Sequence, residues 1–320
     1  EEINAAGKVN IVLDVQDDEN DAEKSVNAYN SLKDKGIQIL MGTVTSQPCA
    51  AVVAETSSDN MFQLTPSGSA VESIAGDNAF RVCFSDPNQG IGAADYIAEN
   101  FADSKVAVIY NSSDVYSSGI YEKFAAEADT KGVDIVDTEA FTKDAKTDFS
   151  VQLQKIKESG ADLVFLPIYY EEAALILTQA DQAGLDVTFF GCDGLDGVIG
   201  QLGDNAELAE GVMLLTPFAA DAKDEKTQTF TAAYQEAYDG ATPNQFAADA
   251  YDAIYIIKAA IEQAEATPDM SVSDLCEALK VAMTEITVEG VTGTMTWDAS
   301  GEPTKEPKAM VIKDGAYSAV

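Results

Sequence analysis

The chain has 320 residues, enough for two lobes with separate cores, and its 46% hydrophobic and 23% charged composition is that of an ordinary globular protein. Asp and Glu number 55 against 19 Lys and Arg, a formal charge of −36 that disfavours nucleic-acid phosphate and anionic membrane as partners. Histidine is absent, which removes Ser-His-Asp and Cys-His relays and any histidine metal site.

The opening "EEINAAG" reads as the end of a helix closed by Gly7, which takes a left-handed cap at no steric cost. "NIVLDV" then runs apolar like a strand, and the acidic "DVQDDEND" fails the EF-hand spacing and reads as a solvated loop. "AEKSVNAYNSLKDKG" is a helix, followed by strands "IQILMG", "MFQLTP" and "AFRVCF". Between the first two, "TVTSQPCAAVVAE" puts Ser46 at an N-cap with Pro48 in the first turn. This is either a capped helix or a carboxylate site of backbone N–H groups and hydroxyls, which needs no basic residue. "TPSGSAV" repeats that chemistry: Ser67, Gly68 and Ser69 form a small polar loop that a ligand can approach closely.

"NQGIGAADYIAEN" carries a GxG at Gly90 and Gly92 without the third glycine of a dinucleotide fingerprint, and reads as a helix start. Strands "KVAVIY" and "VDIVDTEAF" flank the helix "YEKFAAEADTKG", and "TDFSVQLQKIKESG" is the next helix. After the strand "ADLVFLPI" come Tyr169 and Tyr170, which face opposite ways if the strand continues. Glu171 and Glu172 begin the helix "EEAALILTQADQAG", where acids suit the macrodipole, and are not a catalytic pair. Asp193 ends the strand "VTFFG", as a turn aspartate or as an acceptor for an ammonium group. The strand "GVMLLTPF", the long helical "QFAADAYDAIYIIKAAIEQAEA" and a hairpin-like tail complete the chain. Helices that end at glycine before apolar strands predict parallel sheets covered on both faces, with ligands outside the strands' carboxyl ends. Cys49, Cys83, Cys192 and Cys276 form no CxxC, so no zinc is expected, and their spacing leaves pairing open. No apolar run spans a bilayer and no signal peptide is present in these residues.

The runs "VQDDEND", "GTVTSQP", "LTPSGSA", "DFSVQLQKIKESGADLVFLPIYYEEAALILTQA", "GCDGLD", "AEGVMLLTPF" and "GVTGTMTWDASGEP", with the opening "EEINAAG", cover nearly the whole chain. Together they resemble the periplasmic binding proteins for branched-chain amino acids, type I solute-binding proteins of ABC transporters. The resemblance implies an α/β fold of two doubly wound parallel-sheet lobes with three hinge crossovers, closing on a ligand in the cleft between them. The crossovers are expected near Ser85, Pro217 and Thr304, giving lobes of 1–85 plus 217–304 and 86–216 plus 305–320. It also implies a strand before "EEINAAG", so a gap or open edge is expected beside "IQILMG".

By the same resemblance, Ser46 and backbone N–H groups hold an amino acid's carboxylate, with Ser67, Gly68 and Ser69 beside them. Thr45 matches a position where cysteine or alanine is common, Asp193 matches the acid that takes the α-ammonium, and Tyr116, Tyr169 and Phe246 line the side-chain pocket. The family's disulfide to a "DDAC" loop is not expected, because this chain has "DDEN". The implied protein is a monomeric, extracytoplasmic carrier, made with a signal peptide as a periplasmic protein or cell-surface lipoprotein. It delivers leucine, isoleucine or valine to permease subunits, with no metal, cofactor or catalytic step. The alternatives are a receptor's sensing domain, or a carrier of an amide, an aromatic acid or a short peptide.

Overall fold

A computed structural model describes all 320 residues. They form two compact units, Glu1–Ser85 with Phe246–Lys305, and Asp86–Gln245 with Glu306–Val320. The chain therefore crosses between units after Ser85, Gln245 and Lys305. The middle crossing, expected near Pro217, lies at Gln245 instead, and residues 217–245 stay with the second unit. Ala219 packs against that unit's core, and the Gln245 N–H donates to Asp196 Oδ2 at 2.6 Å.

In chain order the first segment carries α1 (Glu2–Ala6), α2 (Ala22–Asp34), β1 (Leu40–Met41), α3 (Ser46–Asp59), β2 (Gln63–Thr65) and β3 (Ala79–Arg81). The second unit follows with α4 (Asp86–Asn100), β4 (Lys105–Asn111), α5 (Val115–Lys131), β5 (Asp134–Phe141), α6 (Ser150–Ser159) and β6 (Leu163–Leu166). It continues with α7 (Tyr170–Gln182), β7 (Thr188–Gly191), α8 (Val198–Leu202), β8 (Met213–Thr216) and α9 (Glu225–Ala237). Then come α10 (Gln245–Gln263), α11 (Val272–Met283), β9 (Val288–Gly290) and β10 (Gly293–Met295), and the chain ends with β11 (Lys308–Lys313) and β12 (Ala316–Ala319). No helix is long and apolar enough to cross a membrane.

Local chemistry sets these boundaries. Asp21, Asp114 and Ser271 cap α2, α5 and α11 by accepting N–H groups of the first turn. Gly132 and Gly160 close α5 and α6 in the left-handed conformation. The GxG glycines lie inside α4 and do not start it. A Cβ on Gly90 would stand 2.6 Å from the Ile120 carbonyl, so that glycine lets α4 lie directly on α5.

The second unit's sheet runs β12-β11-β8-β7-β6-β4-β5, parallel from β8 to β5 and antiparallel at the β11–β12 end. Its inner strands are apolar on both faces. Ala107, Ile109, Val164, Leu166 and Leu214 pack with α6, α7 and α8 on one side. Val106, Val108, Leu163, Phe165 and Leu215 pack with α4 and α5 on the other.

The first unit's sheet is smaller, a parallel β1-β2-β3, with a separate β9–β10 hairpin. One face is apolar: Phe62, Leu64, Phe80 and Val82 pack against α10 and α11. The other alternates to Gln63, Thr65 and Arg81, all fully buried and polar. "NIVLDV" forms no strand, contrary to expectation, because β1 pairs only with β2 and no strand offers residues 10–15 a ladder. Ile11 instead exchanges two 2.8 Å hydrogen bonds with the Asn4 side chain, and Val12, Leu13 and Val15 stay exposed. The outer edge of β1 is open.

Candidate functional site

In the first unit the site begins where β1 and β2 end. Helix α3 starts at Ser46, one place earlier than expected, so Thr45 occupies the cap position and Ser46 is the first helical residue. The reason is competition for the hydroxyls. Thr45 gives its O–H to Asn20 Oδ1 at 2.6 Å and makes no cap bond. The Ser46 Oγ accepts the N–H groups of Ser69 at 3.1 Å and Ala70 at 3.0 Å, across to the next strand-end loop.

That loop is itself pinned. The Gly68 N–H donates to Thr65 Oγ1 at 2.9 Å, and the Thr65 hydroxyl donates to the Thr43 carbonyl at 2.6 Å. A Cβ on Gly68 would lie 2.7 Å from Thr65 Oγ1 and 3.2 Å from the Cys49 Cβ, so only glycine fits without displacement. Ser46, Ser67 and Ser69 are buried, and the Ser46 and Ser69 oxygens stand 3.4 Å apart. An oxygen that accepts two N–H groups still carries its own proton to give. The network is thus made of neutral donors at a helix N-terminus, a chemistry suited to a carboxylate. It joins Ser46, Gly68 and Ser69 directly, with Ser67 in the same loop. Thr45 and Phe246 are half-buried, and Phe246 stands on a separate element as the second residue of α10.

In the second unit Asp193 follows β7 and is 2% exposed. Its Oδ1 accepts the Tyr116 hydroxyl at 2.7 Å, and its N–H donates to Gln89 Oε1 at 3.1 Å. The Tyr116 oxygen in turn accepts the Gly194 N–H at 2.9 Å. Burial, reinforced by the charge of Asp193, holds the Tyr116 phenol well above its ordinary range, so it remains a donor to the carboxylate. The Tyr116 and Tyr169 rings stack, centroids 4.5 Å apart and planes at 19°. Tyr169 and Tyr170 do part company, although β6 has already ended at Leu166. Tyr169 packs beside Tyr116, while Tyr170 turns to the other core and lies against Gly197. Glu171 and Glu172 sit in the first turn of α7, where Lys146 pairs with Glu172 at 2.8 Å.

Three partners escaped the sequence reading. Gln89 reaches Asp193 from α4, Thr65 pins the loop, and Arg81 donates to the loop's carbonyls. Polar Gln63 and Thr65 alternating with apolar residues in a short strand are the one signal that could have raised Thr65. All four cysteines are buried thiols, none in a disulfide.

Residues 1–315 match the family described as periplasmic binding protein. A protein from Brucella melitensis named Leu/Ile/Val-binding protein homolog 3 is 30% identical over 313 residues, 94% of this chain and 80% of its own length. Among solved structures, the branched-chain amino acid transporter substrate-binding protein LivJ from Streptococcus pneumoniae, in complex with isoleucine, superposes with a TM-score of 0.88. It is 26% identical, with 99% of this chain and 89% of that one covered. A solute-binding protein from R. palustris in complex with benzoate has a TM-score of 0.84 at 20% identity, covering 95% and 83%, a likeness of fold alone.

Proposed function

The chain belongs to the branched-chain amino acid type of periplasmic binding proteins that serve ABC transporters, and on that premise we propose that its own cargo is a free α-amino acid with a branched aliphatic side chain. The family is extracytoplasmic and non-catalytic, handing a small ligand to permease subunits. The observation that carries the amino acid reading is the pairing of chemistries on the two units. The first presents the neutral Ser46 hydroxyl, which accepts the Ser69 and Ala70 N–H groups and keeps its own proton to give. The second presents Asp193, its carboxylate fixed by Tyr116. A zwitterion needs both chemistries, a donor for its carboxylate and an acceptor for its ammonium, and the chain carries both. Tyr169, half-buried and stacked on Tyr116, offers apolar area to a side chain, and burying a leucine-sized group contributes roughly 1.5–3 kcal/mol.

The test is calorimetric titration with the L-amino acids and with benzoate. Leucine, isoleucine or valine is expected to bind, and Asp193→Ala to weaken that binding by roughly 100-fold, the loss of one charge-assisted pair. An unchanged affinity would remove Asp193 from the ammonium role.

An aromatic acid is the second reading, favoured by the tyrosine stack and by the benzoate complex on this fold. Benzoate has no ammonium, so its binding should survive Asp193→Ala. The same variant therefore separates the two readings.

A further inference from the structure

Arg81 is the only arginine in the chain. It ends β3 and is fully buried, on the polar face of the first unit's sheet. Its Nη1 donates to the Gly68 carbonyl at 3.0 Å and also to the Ser69 carbonyl. These are two consecutive peptides, and in a planar trans peptide the C=O and the following N–H point opposite ways. The N–H partners of those two carbonyls belong to Ser69 and Ala70, the same two amides that donate to Ser46 Oγ. The guanidinium and the Ser46 hydroxyl therefore grip opposite faces of one pair of peptides.

The arginine is itself anchored. Its N–H donates to the Gly301 carbonyl at 3.1 Å, its carbonyl accepts the Trp297 indole N–H at 2.8 Å, and Nη2 lies 3.1 Å from Glu302. We infer that Arg81 is a positioning residue for anion binding: it turns the Ser69 and Ala70 peptides so that their N–H groups hold the Ser46 oxygen, leaving the Ser46 hydroxyl proton to be presented. It touches no ligand atom in this role, and its charge stands behind the peptide dipoles it aligns. The inference rests on the reading of Ser46 and its loop as the carboxylate anchor.

The experiment uses Arg81→Met and Arg81→Lys in the full chain, with L-leucine as the calorimetric probe and amide hydrogen exchange as a second readout. Arg81→Met should bind L-leucine roughly 30-fold more weakly, since two charge-assisted bonds that orient the loop are gone. Protection at Ser69 and Ala70 should fall while the β2–β3 ladder keeps its own. Arg81→Lys keeps the charge without the fork and should recover only part of both. Wild-type affinity in Arg81→Met, or protection lost equally across β2 and β3, would overturn the inference. If Arg81→Met does not fold, Arg81→Lys decides: wild-type affinity with wild-type protection overturns it, and a loss confined to the loop and to binding supports it. A wild-type protein that ignores L-leucine while the variant still loses protection only at Ser69 and Ala70 sinks the amino acid reading and leaves the positioning role standing.

Discussion

The two units solve the same architectural problem with different interiors. In the second, strand residues of both parities are apolar, and the sheet is sandwiched between two hydrophobic layers. In the first, only one parity is apolar; the other places Gln63, Thr65 and Arg81 in full burial. A buried polar face needs hydrogen-bond partners, and here most of them are loop peptides: Gly42, Thr43, Gly68 and Ser69 all have a carbonyl bonded to it. An apolar face can hold a sheet together, but it cannot dictate which way a peptide points. The polar face does that, and the loops it orients are the ones that carry the candidate anion site.

The sharpest way to break this contrast is to damage each interior and ask which unit responds. Trp297, the only tryptophan, is buried in the first unit and reports on it alone. Phe165 is fully buried in the second unit between Phe124 and Phe190. Phe165→Ala should cost about 3–5 kcal/mol there, seen as an earlier urea transition by circular dichroism. The Trp297 fluorescence transition should hold its midpoint; a matching shift would mean that the units unfold as one.

Acid provides a milder test. Burial, with the nearby charge of Glu172, pushes Asp114 from an ordinary 3.8 up to about 6, against the opposing hydrogen bond from the Ser117 N–H. A carboxyl raised on folding holds its proton more tightly in the folded state. Its stabilisation is therefore complete below the unfolded value and is lost as pH rises through the folded one. The second unit should lose up to ~3 kcal/mol from this group between pH 4 and about 6.5. In Asp114→Asn, which keeps a competent cap, that slope should vanish from urea midpoints measured across the window.

The smallest effect is expected on the polar face. Gln63 accepts the Thr56 hydroxyl at 2.5 Å and donates to the Gly42 carbonyl at 2.9 Å. Gln63→Leu should cost about 1–3 kcal/mol by stranding both. That shift should appear in Trp297 fluorescence while the second unit's transition stays put. A neutral outcome would show that this face tolerates apolar filling like the other.

The alternation of apolar strands with glycine-ended helices was enough to read the second unit, because its inner strands β6, β7 and β8 are largely apolar and buried and α5 and α6 close on the local signals Gly132 and Gly160. It failed at "NIVLDV", where composition favours a strand but no ladder exists to pair it. The segment 217–245 was misassigned because what ties it to the second unit is tertiary, the Gln245–Asp196 bond and the packing of Ala219. The hydroxyl loops were legible as polar stretches at strand ends, yet Ser46 was read as capping its own helix when its oxygen is engaged by the neighbouring loop. Gln89 and Arg81 were out of reach, since nothing local to a lone glutamine or arginine announces a partner that the fold brings in from elsewhere in the chain.

The state of the thiols has a consequence for how such a carrier is made. Cys49, Cys83, Cys192 and Cys276 are all sealed in the interior outside any disulfide, and burial raises the first, the third and the last, to about 11 for Cys276. Little thiolate forms at those three, and all four sulfurs are buried, so neither air nor a disulfide-exchange catalyst finds an exposed nucleophile to work on. The folded chain is the same covalent object in a reducing cytosol and in an oxidising exterior. Its production should need neither an oxidative folding pathway nor protection from one, and reducing agent in the buffer should leave its melting temperature where it was.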